Sequence, residues 1–133
     1  MEPIISPVSK SIIKKELNNN RFIRSTNYAN HEIYILNHLN SPNTVKEIGR
    51  LREITFRDVG EGTNKSIDLD KFDKYYYHMF LWDNSENRLV GAYRMGLGKE
   101  IYKKYGIQGF YIQSLFRFEP ELHGMMEQTI EMG

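Results

Sequence analysis

The chain has no cysteine, one tryptophan and four prolines in 133 residues. Without cysteine there is no disulfide and no thiolate zinc site, and a reducing compartment suits the chain. Charge of one sign is also lacking: 18 lysines and arginines against 17 aspartates and glutamates leave a net charge of +1. Neutralising phosphates takes a clustered basic face, so no nucleic-acid partner is expected. No apolar run approaches the roughly 20 residues that span a bilayer. The opening Met1-Glu2-Pro3-Ile4-Ile5-Ser6 has no basic stretch leading into an apolar one, so the expected location is the cytoplasm. His31, His38, His78 and His123 show no ligand spacing on one helix, and no metal site is expected. Ser114 has no evident base nearby for nucleophilic chemistry. Gly96-Leu97-Gly98-Lys99-Glu100 lacks both the Walker spacing and a hydroxyl residue after the lysine, which sets a nucleotide loop aside.

Aromatic residues are plentiful, with nine tyrosines and seven phenylalanines, and the length suits one domain with its own core. Ser6-Pro7 predicts a helix to about Leu17, with Val8, Ile12, Ile13 and Leu17 on one stripe. Its lysines read as a solvated face, or as one that rests on an anionic membrane. Glu32 to His38, rich in β-branched and aromatic residues, predicts the first strand. Ser41-Pro42 opens a long helix carrying Val45, Ile48, Leu51, Ile54 or Thr55, and Val59, closed by Gly60 and Gly62. Tyr77 to Asp83 and Arg88 to Leu97 read as strands joined by Asn84-Ser85-Glu86-Asn87. A short helix from Lys99 to Tyr105, a strand or edge segment over Gly109 to Phe118, and a last strand over Glu127 to Met132 complete the order. The fold class is α+β, with a mixed, mostly antiparallel sheet and flanking helices. Residues 1–133 form a single partial domain, of which 1–30 are an N-terminal helical extension.

Charged residues gather between Leu51 and Arg94. Arg52 and Phe56, four apart, share a helix face; the plain alternative is an arginine snorkelling from the flank. Asp68, Asp70 and Asp73 fall within six positions, where they repel one another unless cations or backbone N–H groups face them. They read as a solvated loop with a capping aspartate, or as partners of the arginines. Arg94 lies in an apolar strand, where an unpaired guanidinium is expensive, so it requires a carboxylate or a bound anion. Lys99, Lys103 and Lys104 form a basic patch, either a soluble helix face or a dock for an acidic partner.

Five stretches carry a family resemblance: Leu51-Arg52-x-x-x-Phe56, Asp70-Lys71-Phe72-Asp73, Val90-Gly91-Ala92-Tyr93-Arg94, Ser114-x-Phe116 and Thr129-Ile130-Glu131-Met132-Gly133. In that order they resemble the N-terminal part of the bacterial N-acyltransferases that make ornithine and glycine lipids. These hemolysin-like proteins belong to the acetyltransferase (GNAT) superfamily and are similar to acyl-homoserine-lactone synthases. The opening residues and the Glu32–His38 strand look like the glycine-lipid branch. The resemblance implies a GNAT-like N-terminal half, and transfer of a 3-hydroxyacyl group from acyl carrier protein to the α-amine of a small amino acid. Glycine is favoured and ornithine is next; the carrier thioester is the donor and no cofactor is implied. It assigns Arg52, Arg94 and Glu131 to catalysis, with Glu131 as general base through water. Asp70, Asp73, Phe56, Phe116 and Ser114 would bind substrate, while Lys99, Lys103 and Lys104 would dock the carrier. Peripheral contact with the inner membrane goes with that role.

Tyr75-Tyr76-Tyr77 departs from the lactone-synthase pattern, where a tryptophan is expected after the helix. The remaining alternatives are a lactone-synthase-like enzyme and a non-catalytic binding module. A final strand ending at Met132-Gly133 predicts a truncated domain, inactive alone, whose sheet edge lacks its next partner.

Overall fold

A computed structural model describes residues 1–18, 21–26, 30–114, 123–126 and 128–132. The elements are helix α1 (Lys10–Glu16), strands β1 (Phe22–Ser25) and β2 (His31–Leu36), and helix α2 (Pro42–Asp58). A 3-10 turn over Lys71–Lys74 precedes strands β3 (Tyr77–Asp83) and β4 (Arg88–Leu97). Helix α3 (Gly98–Tyr105), 3-10 turns over Gly106–Gly109 and Tyr111–Ser114, the single turn α4 (His123–Met126) and strand β5 (Ile130–Met132) follow. The strands form one sheet in the order β1-β2-β3-β4-β5, and all four pairings are antiparallel. No helix among the described residues is long and apolar enough to cross a membrane.

Period-two alternation divides the sheet into unlike faces. Tyr34 and Leu36 of β2, Phe80 and Trp82 of β3, Ile13 of α1, and Val45 and Ile48 of α2 make one buried core. A second cluster, Phe72, Tyr76, Ile101 and Phe110, fills the space beneath α3 and the 3-10 turns. Arg94 pairs across the ladder with His78, and Glu131 pairs with Gly96, two residues further along β4. Both side chains therefore stand on the core-bearing face. On the opposite face Tyr93 is 64% exposed, Ile130 61% and Met132 56%.

The ends of α1 and α2 depart from the capping expected of their serines. The chain from Glu2 to Val8 is not helical. Its N–H groups go to Asn64 O, Ser66 O and, from Val8, the Glu47 carboxylate at 3.1 Å. The α1 helix therefore starts at Lys10, not at Pro7. Helix α2 begins at Pro42 as expected, but the Ser41 hydroxyl is buried without a partner among the described residues. Glu16 of α1 supplies the cap in trans, accepting Thr44 N–H at 2.7 Å and Asn43 N–H at 3.1 Å. A carboxylate there meets both the orphan donors and the positive end of the helix dipole.

Three other expectations need correction. Residues 1–30 hold a strand as well as a helix, because β1 pairs with β2. The segment read as a strand from Gly109 forms 3-10 turns through Ser114, its N–H groups finding partners other than a ladder. The last strand starts at Ile130, since a turn closes first with Gln128 N–H on Met125 O and Thr129 N–H on Met126 O.

Candidate active site

The acidic run after α2 folds onto the two arginines. Asp70 caps the Lys71–Lys74 turn, accepting Phe72 N–H at 2.9 Å and Asp73 N–H at 3.3 Å. Asp73 answers with its own carboxylate on Asp70 N–H at 2.8 Å, a reciprocal capping box that fixes both aspartates. Arg94 reaches them from β4, with Nη1 2.8 Å from Asp70 Oδ1 and 3.3 Å from Asp73 Oδ2. Arg52 reaches Asp73 from α2 at 3.3 Å, and the same Nη1 donates to Asp68 O at 3.1 Å. Four of the charged residues singled out from sequence thus form one network. The aspartates act both as caps and as partners, so the solvated-loop reading fails for Asp73, only 2% exposed.

The network is polarised by its surroundings. Burial opposes charge on Arg94, but Asp70 and Asp73 outweigh it and raise its pKa above the ordinary arginine value. Burial raises the Asp70 carboxyl too, yet Arg94 and Phe72 N–H win and hold it low. Asp68 goes the other way: desolvation, with Glu53, Asp73 and Asp70 nearby, outweighs Arg52 and raises its carboxyl. His78, fully buried, has Nε2 3.4 Å from Asp73 O, and desolvation pushes its pKa down. Asp73, with Oδ1 3.7 Å from the same Nε2, pulls the other way without overcoming the burial.

Glu131 belongs to the same site but is fully engaged. Its carboxylate accepts the Tyr76 hydroxyl, Tyr111 N–H at 2.9 Å and Ile112 N–H at 2.7 Å. The Tyr76 and Tyr111 rings in turn lie 5.4 and 4.7 Å from the Arg94 guanidinium, with Phe72 at 5.8 Å. Glu131 therefore holds two walls of an aromatic cage around Arg94. Tyr76, Tyr111 and His78 are site residues that motif reading missed. The sequence held no signal for them, since an arginine in an apolar strand asks for an acidic partner and not for an aromatic one.

Beside the network lies a groove of about 290 Å³ between α2 and β4. Ile48, Leu51, Arg52, Thr55 and Phe56 form its helix wall at i, i+3, i+4, i+7 and i+8, and residues 89–92 form its strand wall. Phe56 is 40% exposed there, so Arg52 and Phe56 do share a face. Lys99, Lys103 and Lys104 stand apart, exposed on α3. Ser114 ends the last 3-10 turn, and Phe116 lies outside the described residues.

Gly96 and Gly98, set aside as a phosphate loop, serve close packing. A Cβ on Gly96 would sit 2.6 Å from Tyr76 Cε2, and one on Gly98 would sit 1.9 Å from Met126 O.

An antiparallel sheet with an arginine–aspartate network on one face is an arrangement that comparison can place. Residues 51–133 match the acetyltransferase (GNAT) domain family. The chain belongs to that family. Arg52, Asp70, Asp73, Arg94 and Glu131 all lie inside the matched span. The chain is 40% identical over 138 aligned positions to a glycine N(alpha)-acyltransferase of Bacteroides thetaiotaomicron, with all of this chain and 41% of that protein covered. It is 39% identical over 138 positions to a glycine N(alpha)-acyltransferase of Phocaeicola vulgatus, covering all of this chain and 42% of that protein. The chain thus spans about two-fifths of the length of these relatives. No solved structure matches significantly.

Proposed function

We propose that this GNAT chain contributes the acceptor side of an N-acyltransferase. In that reaction a 3-hydroxyacyl group moves from the thioester of acyl carrier protein to the α-amine of a small amino acid, glycine before ornithine. The observation that carries the reading is the convergence of Arg52, Asp70, Asp73 and Arg94 on one network beside an apolar groove. The relatives' names add glycine as the acceptor they act on.

The chemistry needs an amine freed of its proton, aligned on the thioester carbon, and an oxyanion stabilised. The network supplies fixed charge without reorganisation. Asp68, whose carboxyl is raised by desolvation and by its acidic neighbours, is the candidate base on the acceptor side. Glu131, with three donors on its carboxylate, acts as a positioning residue for the cage around Arg94. The exposed lysines of α3 suit the acidic surface of a carrier protein. Peripheral membrane contact suits a product that carries an acyl chain, and the cytoplasm is the location proposed with it.

The test offers hydroxyacylated carrier protein with glycine, ornithine or S-adenosylmethionine in parallel and identifies products by mass. Acylglycine as the main product supports the reading. An acyl-homoserine lactone from S-adenosylmethionine, or turnover unaffected by Asp70→Asn, refutes it.

A further inference from the structure

The α2–β4 groove combines two properties that a site for free glycine does not need. It runs along about 12 Å of helix, from Ile48 to Phe56 at 1.5 Å per residue, and its volume of about 290 Å³ far exceeds the smallest amino acid. Its walls are apolar except for Thr55 and Arg52. The Arg52 guanidinium uses only Nη1 on protein oxygens, Asp68 O and the Asp73 carboxylate. Its Nε and Nη2 have no protein partner among the described residues, and the side chain is 22% exposed. A guanidinium with one edge anchored and the other open presents two parallel donors, the geometry that grips a carboxylate. The strand wall holds small residues: Ala92 is exposed, and nothing lies within 4 Å of where a Gly91 Cβ would stand.

We infer that this groove binds the N-acyl amino acid itself, with the acyl chain along Ile48, Leu51, Phe56 and Ala92 and the carboxylate on the open edge of Arg52. The ligand's identity rests on the transfer reading above; the groove and the open guanidinium edge do not. The two subsites hold the two pieces that the reaction joins, and Ala92 limits how much chain the groove takes. A tail alone or a carboxylate alone fills half of the site, so affinity requires both in one molecule.

Binding is measured by calorimetry on this chain, using N-dodecanoylglycine below its micelle concentration and its uncharged amide, N-dodecanoylglycinamide. Amide chemical shifts map the site. The carboxylate is expected to bind at least about tenfold tighter than the amide, a difference near 1.4 kcal/mol, with shifts confined to α2 and residues 89–92. Ala92→Phe, which fills the groove from an exposed position, is expected to weaken binding about tenfold or more while leaving the thermal midpoint in place. Ala92→Val, a smaller intrusion, is expected to favour octanoylglycine over the dodecanoyl compound. Equal affinity for glycine and glycinamide forms, or shifts that map elsewhere, overturns the inference. Acylglycine formation by a protein whose groove binds neither probe overturns it too and leaves the transfer reading intact. Groove binding by a chain that transfers nothing supports the inference independently of the transfer reading.

Discussion

Replacing Arg94 tests whether the network is a buried structural unit. Removing one partner of a buried ion pair typically costs about 3–5 kcal/mol, because the other charge is left uncompensated. Here the cost is reduced on both sides. The Asp70 side chain is 42% exposed and can hydrate. Asp73, at 3%, keeps Arg52 at 3.3 Å and Asp70 N–H at 2.8 Å. Arg94→Leu is therefore expected to lose about 2–3 kcal/mol, since leucine still fills part of the cage. Arg94→Ala also leaves a void among Phe72, Tyr76 and Tyr111, adding about 1–2 kcal/mol. Urea titrations of the two variants with a common slope give the comparison. Acid adds a second reading. The folded pKa of Asp70 is depressed below 3.8, despite burial that opposes it, by Arg94 and Phe72 N–H. That contribution is present above the unfolded value and lost as pH falls through the folded one, so the gap to Arg94→Leu narrows below about pH 4. Equal losses in the two variants, or losses under about 1 kcal/mol in both, refute a buried network.

Burial would raise the Glu53 carboxyl, but the Thr63 hydroxyl, Arg57 and the N–H groups of Thr63 and Asn64 hold it at about 2. Its stabilisation is present above the ordinary 4.5 and lost as pH falls toward 2, so urea midpoints of wild type and Glu53→Gln should converge across that window. Gly98→Ala drives a Cβ to 1.9 Å from Met126 O and opposes the Gly98 N–H bond to Thr129 O at 2.7 Å. Hydrogen exchange should then show β5 unprotected while β2 and β3 stay protected. Glu16→Ala removes the trans cap of α2 and is expected to lose about 1–2 kcal/mol, with faster exchange at Asn43 and Thr44.

Much of the fold was legible because local and tertiary demands agree. The β3–β4 hairpin lies where alternation and the Asn84–Asn87 turn put it, and Asn87 takes a positive φ of 52°. Helix α2 keeps its apolar spacing and its proline start. Strand β1 was missed: its four residues, Phe22–Ser25, are half-buried at one end and exposed over the rest. An edge strand with one solvated row carries little alternation to read. Helix α1 was overextended because Ser6-Pro7 is a sound local start signal, and only the remote Glu47 and the 64–66 loop redirect the backbone before it.

The site divides along the same line. An arginine in an apolar strand, followed back to three closely spaced aspartates, demands a partner whatever the fold, so the network could be read from residue types alone. The aromatic cage could not. Phe110, Tyr111 and Ile112 have the composition of a strand, yet the N–H groups of Tyr111 and Ile112 end on one carboxylate, Glu131, that arrives from β5. Buried N–H groups must find an acceptor, and a single glutamate that takes two of them plus a tyrosine hydroxyl replaces a strand's worth of ladder. That is why sequence marks Glu131 only as a charged residue at a strand end, and the base role comes from the family resemblance alone. Its geometry makes it the fastening that keeps Tyr76 and Tyr111 against Arg94, so Glu131→Gln should disturb the orientation of Arg94 before it disturbs any proton transfer.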